Sequence, residues 1–314
     1  MTFVLLGSGL VALVGGADLL VRGASTLALR LGLPPLIVGL TVIAWGTSMP
    51  ELVVSLGGAL AAHGDLAVGN VVGSNIANIG LILGSSALIR PLRAEVVLVR
   101  RDIPVMILVT GILVVVAVDR SIGRIEGGLF LVGLIAYTGL TLRSARRAAP
   151  REIASLAEAL PTASMPTGLA RTLLLTGLGL VLLLVGGRAF VDGAVRGARA
   201  LGISEAVIGL TIVAVGTSLP ELATSCIAAA RGHVDIAVGN AVGSNLFNIL
   251  GVLGTTAAVR PLTGLAIAPV DLAVMLVLSL LLLPLAWSGK RLDRREGALL
   301  LVLYVGYIVW LRCA

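Results

Sequence analysis

Residues 39–92 and 209–262 are two copies of one segment. They align at a constant offset of 170 without a gap, and 30 of the 54 positions are identical. Gly46 falls on Gly216, Glu51 on Glu221 and Asn78 on Asn248. The likeness reaches further in both directions. Gly15-Gly16 lies near Gly186-Gly187, Leu31-Gly32 matches Leu201-Gly202, and Arg124-Ile125-Glu126-Gly127 matches Arg294-Arg295-Glu296-Gly297. The chain is a duplication, so whatever one half folds into, the other half must fold into as well.

The medium in which the halves fold follows from composition. Hydrophobic residues make up 58% of the 314, charged residues 12%, and mean hydropathy is +1.09. A soluble domain carries about 25% charged residues, and no water-soluble surface could be built from the polar residues available here. A soluble enzyme, a nucleic-acid binder and a disordered chain are excluded. The net charge of +7 then reads as basic loops beside a membrane. Cys226 and Cys313 are too few for a disulfide framework and lack metal-ligand spacing.

A membrane-crossing helix needs roughly 20 apolar residues. Ten apolar runs meet or approach that length, at roughly 3–24, 36–61, 66–89, 103–118, 125–142, 171–194, 206–230, 236–258, 267–287 and 297–312. No Lys or Arg precedes the first run, and the second half holds its counterpart, so it reads as a span and not a signal peptide. Residues 143–170 form the one long polar stretch, a basic linker. The expected fold is an all-α membrane protein of ten transmembrane helices as two inverted five-helix repeats: residues 1–142, the linker, and residues 171–314.

Inversion follows from parity, because five spans per half leave the second copy upside down relative to the first. Charge provides an independent check. With the linker in the cytoplasm, 16 Lys and Arg fall inside and 7 outside, the bias of the positive-inside rule, which puts both termini outside.

Glu51 and Glu221 are repeat partners that sit well inside apolar runs. A carboxylate at mid-membrane costs about 2.5–3.5 kcal/mol on the insertion scale, so such a residue is functional by default. Their surroundings are Ala44-Trp45-Gly46-Thr47-Ser48-Met49-Pro50-Glu51 and Ala214-Val215-Gly216-Thr217-Ser218-Leu219-Pro220-Glu221. Thr and Ser precede each Glu by four and three residues, which puts three oxygens on one helical face. Pro50 crowds the carbonyl of Gly46, and Gly46 weakens the helix, so a kink with freed carbonyls is expected. Carboxylate, hydroxyl and carbonyl oxygens make a hard shell suited to Ca²⁺ or Na⁺.

The next span in each half reads Gly69-Asn70-Val71-Val72-Gly73-Ser74-Asn75-Ile76-Ala77-Asn78 and Gly239-Asn240-Ala241-Val242-Gly243-Ser244-Asn245-Leu246-Phe247-Asn248. Ser74 and Asn78 share a face, as do Ser244 and Asn248, and these are the candidate ligands. Asn70, Asn75, Asn240 and Asn245 fit helix packing as well as ligation. Asp18 and Arg22 correspond to Arg188 and Asp192, charge-exchanged i, i+4 pairs expected to serve as salt bridges. His63 and His233 do not form HExxH, so a zinc protease is not supported.

Two GTSxPE segments, each followed by GNxxGSNxxN, closely resemble the α-repeats of the sodium/calcium exchangers of the cation/Ca²⁺ antiporter superfamily, in its compact prokaryotic type. The resemblance implies that the helices of Glu51 and Glu221 meet centrally and bind Ca²⁺. Thr47, Ser48, Thr217 and Ser218, with the carbonyls of Ala44 and Ala214, would supply oxygens to Ca²⁺ and Na⁺, and Ser74, Asn78, Ser244 and Asn248 would complete the Na⁺ positions. Some members carry Asp where this chain has Asn248, so two carboxylates stand in the matched set instead of three. That argues against K⁺ co-transport and leaves stoichiometry open. The GNAxE-like repeats of the proton-coupled branch are missing, which favours Na⁺ as the driving ion.

The expected function is antiport of Ca²⁺ for Na⁺ by alternating access at a shared site, with Ca²⁺/H⁺ antiport on the same glutamates as the alternative. Neither enzyme chemistry nor a cofactor is expected; Ca²⁺ and Na⁺ are transported substrates, and the bilayer is the other partner. No nucleic acid or obligate protein partner is expected. The expected location is the inner membrane of a prokaryotic cell. A channel is disfavoured because no ring of filter carbonyls is evident.

Overall fold

A computed structural model of the chain describes residues 2–93, 95–159, 168–202 and 214–313, with the side chains of 146–159, 214 and 312–313 outside that description. The molecule is mostly helical. The first half contains α1 (Thr2–Leu31), α2 (Pro35–Thr47), α3 (Met49–Leu60), α4 (Gly64–Ile89), α5 (Leu98–Asp119) and α6 (Arg124–Ala159). The second contains α7 (Leu169–Ala200), α8 (Leu219–Ala230), α9 (Val234–Val259), α10 (Pro269–Trp287) and α11 (Arg294–Cys313).

Seven helices among the described residues are long and apolar enough to cross a membrane, and the bent pair α2–α3 makes an eighth. The other two expected spans fall at 206–230, where 203–213 lie outside the described residues, and at 297–312, inside the 20-residue α11. The helix expected to end near 142 runs on to Ala159, so the first part of the basic linker continues the fifth span. Residues 160–167 of the linker lie outside the described residues.

Burial differs from that of a soluble protein at both the surface and the centre. Phe3, Val11, Val53, Val115, Ile135 and Leu174 are exposed, while Glu51, Ser55, Asn75, Asn78, Glu221 and Asn245 are buried. Large apolar side chains on the surface, and a cluster of polar ones within an apolar core, suit a chain whose solvent is hydrocarbon. The central helices are α4 and α9, the latter buried along its whole apolar stretch. Both contain a π-helical turn, Asn78–Leu83 and Asn248–Leu253, that opens at an asparagine expected to be a ligand. Such turns leave the regular ladder and frequently mark functional sites.

Helices α1 and α7 pack against each other in opposite directions. An added Cβ at Gly9 would lie 2.5 Å from the Phe190 amide nitrogen, at Gly16 2.6 Å from that of Leu183, and at Gly179 2.5 Å from that of Leu20. Glycine is required there because backbone faces backbone. Both helices end on a left-handed glycine, Gly32 (φ 61) and Gly202 (φ 76). Asp18 in the middle of α1 pairs with Arg22 at 2.9 Å, as its spacing implies, and also with Arg231 at the end of α8. That second ion pair ties α1 to the helix carrying Glu221.

Two short clasps join the halves. Strand β1 (Leu92–Arg93) pairs antiparallel with β4 (Arg291–Leu292), with Leu92 opposite Leu292. Strand β2 (Ser121–Ile122) pairs with β3 (Leu262–Thr263), with Ile122 opposite Leu262. Tyr137 of α6 donates to Asp102 of α5 at 3.1 Å, and Tyr307 of α11 donates to Asp271 of α10 at 2.8 Å. These tethers repeat in the two halves but involve residues that no motif singles out.

Gly16→Ala should lower the melting temperature of the purified protein and slow transport, because overpacking of this kind costs about 1–3 kcal/mol. Gly15→Ala meets nothing within 4 Å, so it should melt at or above the parent. Equal melting of the two variants would contradict the close packing of α1 on α7.

Candidate ion-binding site

The site begins with a broken helix. Helix α2 ends at Thr47, Ser48 leaves helical geometry (φ −84, ψ 12), and α3 restarts at Met49 with a bend of 44°. Pro50 takes the second position of the new helix, where a backbone N–H has no intrahelical acceptor and its loss does no harm. The kink expected from the sequence is present, but Ser48 carries it. Gly46, expected to be the weak point, stays within the helical turn Ala44–Thr47. Ser218 (φ −87, ψ 5) makes the same break before α8, with Pro220 again second.

This break sets the electrostatics. Glu51 and Glu221 each fall in the first turn of a helix, where free N–H groups and the helix dipole favour negative charge. Sequence reading assigned the proline to a kink and missed this consequence, although a Pro one residue before an acid is a helix-start signal.

The two breaks face each other. Ser48 donates to Glu221 Oε1 at 2.9 Å, and Ser218 lies with its hydroxyl 3.5 Å from Glu51 Oε1 and 3.3 Å from Ser74 Oγ. Ser74 in turn donates to Glu51 Oε1 at 3.4 Å. Each glutamate is thus reached by a serine of the other half, and all five residues are buried. The second oxygen of both glutamates, Oδ1 of Asn78 and Asn248, and Oγ of Ser244 are buried without a hydrogen-bond partner among the described residues. Buried acceptors left unmet are expensive, and an oxygen set of this kind is what a hard cation satisfies.

The remaining expected residues sit around this cluster. Thr47 donates to Asn240 Oδ1 at 3.2 Å and Thr217 to Asn70 Oδ1 at 3.5 Å. The Ala44 carbonyl accepts from the Ser48 amide at 3.1 Å and lies 3.4 Å from the Thr47 hydroxyl oxygen. Ala214 lies in the helical turn Ala214–Gly216.

The asparagines left open by the sequence form the scaffold. Asn70 donates to the Glu51 carbonyl at 3.2 Å and to Ser55 at 3.0 Å; Asn240 donates to the Glu221 carbonyl at 3.3 Å and to Ser225 at 2.9 Å. Ser55 and Ser225 were not singled out, although the signal was present: both are serine at the constant offset of 170.

A membrane-embedded helical bundle with carboxylate, hydroxyl and amide oxygens at its buried centre is a transporter of cations. Comparison with known proteins agrees. The family described as sodium/calcium exchanger protein matches residues 1–143 and 171–312. The chain is similar to inner membrane protein YrbG of Escherichia coli, with 41% identity over 96% of this chain and 93% of that one. It is similar to sodium/calcium exchanger MaX1 of Methanosarcina acetivorans, with 34% identity over 98% of both chains. A solved structure of the sodium–calcium exchanger NCX_Mj superposes with a TM-score of 0.85 at 34% identity, covering 99% of this chain and 98% of that one. The chain belongs to the sodium/calcium exchanger family.

Glu51→Gln and Glu221→Gln each remove one charge without changing shape. Either should lower Ca²⁺ transport at least about 100-fold, more than the roughly 10–100-fold typical of outer-shell losses at metal sites. In buffer free of Na⁺ and Ca²⁺ the variants should melt no lower than the parent, since a buried charge has been removed. Added Ca²⁺ should raise melting of the parent alone. Normal transport by either variant would contradict the site.

Proposed function

We propose that the chain exchanges Ca²⁺ for Na⁺ across the membrane by alternating access at one site shared by the two ions. The observation that carries this reading is the pair of buried glutamates, one from each half, each reached by a serine of the other half and each left with an unmet oxygen. Glu51 and Glu221 hold Ca²⁺ with oxygens from Thr47, Ser48, Thr217, Ser218 and the carbonyls of Ala44 and Ala214. Ser74, Asn78, Ser244 and Asn248 complete the places taken by Na⁺.

Two carboxylates offer a charge of about −2, which one Ca²⁺ or more than one Na⁺ neutralises. Because both substrates use the same oxygens, one leaves when the other binds. With neither ion bound, the carboxylates are buried and uncompensated, which opposes switching of the empty protein and prevents leak. MaX1 and NCX_Mj carry the name sodium/calcium exchanger, which supports Na⁺ as the counter-ion.

In this reading the architecture is ten transmembrane helices in two inverted five-helix repeats, 1–142 and 171–314, joined by the linker 143–170. The antiparallel packing of α1 on α7 and the exchange of β partners between halves support it. Helices α1 and α7, with their smooth glycine contact, are the moving elements. The protein lies in the inner membrane of a prokaryotic cell with its linker in the cytoplasm and both termini outside, in keeping with the excess of Lys and Arg on that side. Its substrates are Ca²⁺ and Na⁺, and no cofactor takes part.

In proteoliposomes, an outward Na⁺ gradient should drive ⁴⁵Ca²⁺ uptake with the pH gradient collapsed. Uptake that needs a pH gradient and ignores Na⁺ would replace Na⁺ by H⁺ as the coupling ion. Uptake with no counter-ion would indicate a channel. For orientation, Ser144→Cys in a chain with Cys226 and Cys313 changed to Ser should react with an impermeant maleimide only after the cells are permeabilised. Labelling of intact cells would reverse the assignment.

A further inference from the structure

The reading above makes Asn78 and Asn248 ligands through Oδ1, but an amide has two faces. Oδ1 attracts a cation, whereas the –NH₂ group, a double donor, repels it. A rotation of about 180° around the last side-chain bond exchanges the two. What fixes the choice is the partner on the far side of each amide.

Those partners are Asn245 and Asn75. Asn78 donates through Nδ2 to Asn245 Oδ1 at 2.9 Å, and Asn248 donates through Nδ2 to Asn75 Oδ1 at 3.0 Å. Each bond crosses from one half to the other. The second asparagines are themselves held: Asn75 Nδ2 donates to the Asn245 backbone carbonyl at 3.3 Å, and Asn245 Nδ2 faces Met106 Sδ at 3.4 Å. All four are about 1% exposed, so water offers no alternative partner. With the Nδ2 of each engaged across the halves, Oδ1 of Asn78 and of Asn248 is the atom left without a partner among the described residues. The two π-helical turns open at these same residues.

We infer that Asn75 and Asn245 are positioning residues, which lock the amides of Asn248 and Asn78 with oxygen toward the ion and so set Na⁺ affinity without touching the ion. The inference rests on the proposed shared site and explains why GSNxxN contains two asparagines three residues apart: one is the ligand, and the other orients the ligand of the opposite half.

The test uses a ligand that has no wrong face. A carboxylate carries oxygen on both sides, so Asn248→Asp does not depend on Asn75 for orientation. The full-length protein is reconstituted, and Na⁺-dependent ⁴⁵Ca²⁺ flux is measured against Na⁺ concentration. Asn75→Leu should raise the half-saturating Na⁺ concentration about tenfold, the scale of one lost hydrogen bond to a charge-binding group, with a smaller change in maximal rate. In the Asn248→Asp background the same substitution should shift it less than about twofold, because Asp needs no acceptor beyond it. An equal shift in both backgrounds would reduce Asn75 to helix packing and overturn the inference. A parent chain with no Na⁺-dependent flux would instead overturn the proposed function.

Asn245→Leu with Asn78→Asp makes the same test in the other half and decides if Asn75→Leu does not yield monodisperse protein. If both single variants misfold and neither Asp background relieves it, the asparagines are packing residues and the inference fails.

Discussion

Everything in this molecule is arranged around the free energy of two carboxylates kept away from water. Either alone, at the depth of its helix, costs several kcal/mol, and the two lie close enough for serines of one helix to reach the acid of the other. The fold meets that penalty in layers. Each acid sits in the first turn of a half-helix, each is reached by a hydroxyl from across the centre, and each has its backbone carbonyl held by an asparagine of the following helix. One oxygen of each carboxylate is left over. A site that is almost, but not wholly, satisfied by its own protein is suited to a substrate that arrives, supplies the missing charge and departs.

Duplication accounts for the economy of the arrangement. Contacts that recur at the offset of 170, such as Asn70–Ser55 with Asn240–Ser225, are made within each half. Contacts that cross between halves, such as Ser48–Glu221 with Ser218–Glu51, come in exchanged pairs. In the proposed inverted arrangement, a site built from two copies of one segment would present similar oxygens toward either side of the membrane, as alternating access requires. Symmetry is not complete: Asn75 holds a backbone carbonyl, whereas Asn245 faces Met106. The ion pair Asp18–Arg231 likewise joins α1 to α8, while the residue at the repeat position of Arg231 is Ala61, which has no charge to offer.

Much of the site was legible in the sequence because buried charge in an apolar run is rare and duplication doubled every signal. Glu51 and Glu221, and the serines one turn before them, stood out for that reason. The location of the kink was less legible. Proline marks where a helix cannot continue, yet it also fits the first turn of a new one, and only the structure places the break at Ser48 and keeps Gly46 helical. The functions of Asn75 and Asn245 were not legible at all, since an amide that glues helices and an amide that orients a ligand look identical until partners and distances are known. The pairing of Asp102 with Tyr137 and of Asp271 with Tyr307 was hidden for a related reason: the tyrosines are 170 apart but the aspartates 169, so alignment at one offset misses the match.

In the proposed exchange one pocket serves both ions in turn. Equilibrium ⁴⁵Ca²⁺ binding to the purified protein, repeated at rising Na⁺ with choline holding ionic strength constant, tests it most directly. A shared pocket should take up one Ca²⁺ per chain at saturation, with an apparent dissociation constant that climbs steeply with Na⁺ while the capacity stays at one. Ca²⁺ binding that is indifferent to Na⁺, or that persists with Na⁺ bound alongside it, would contradict the account.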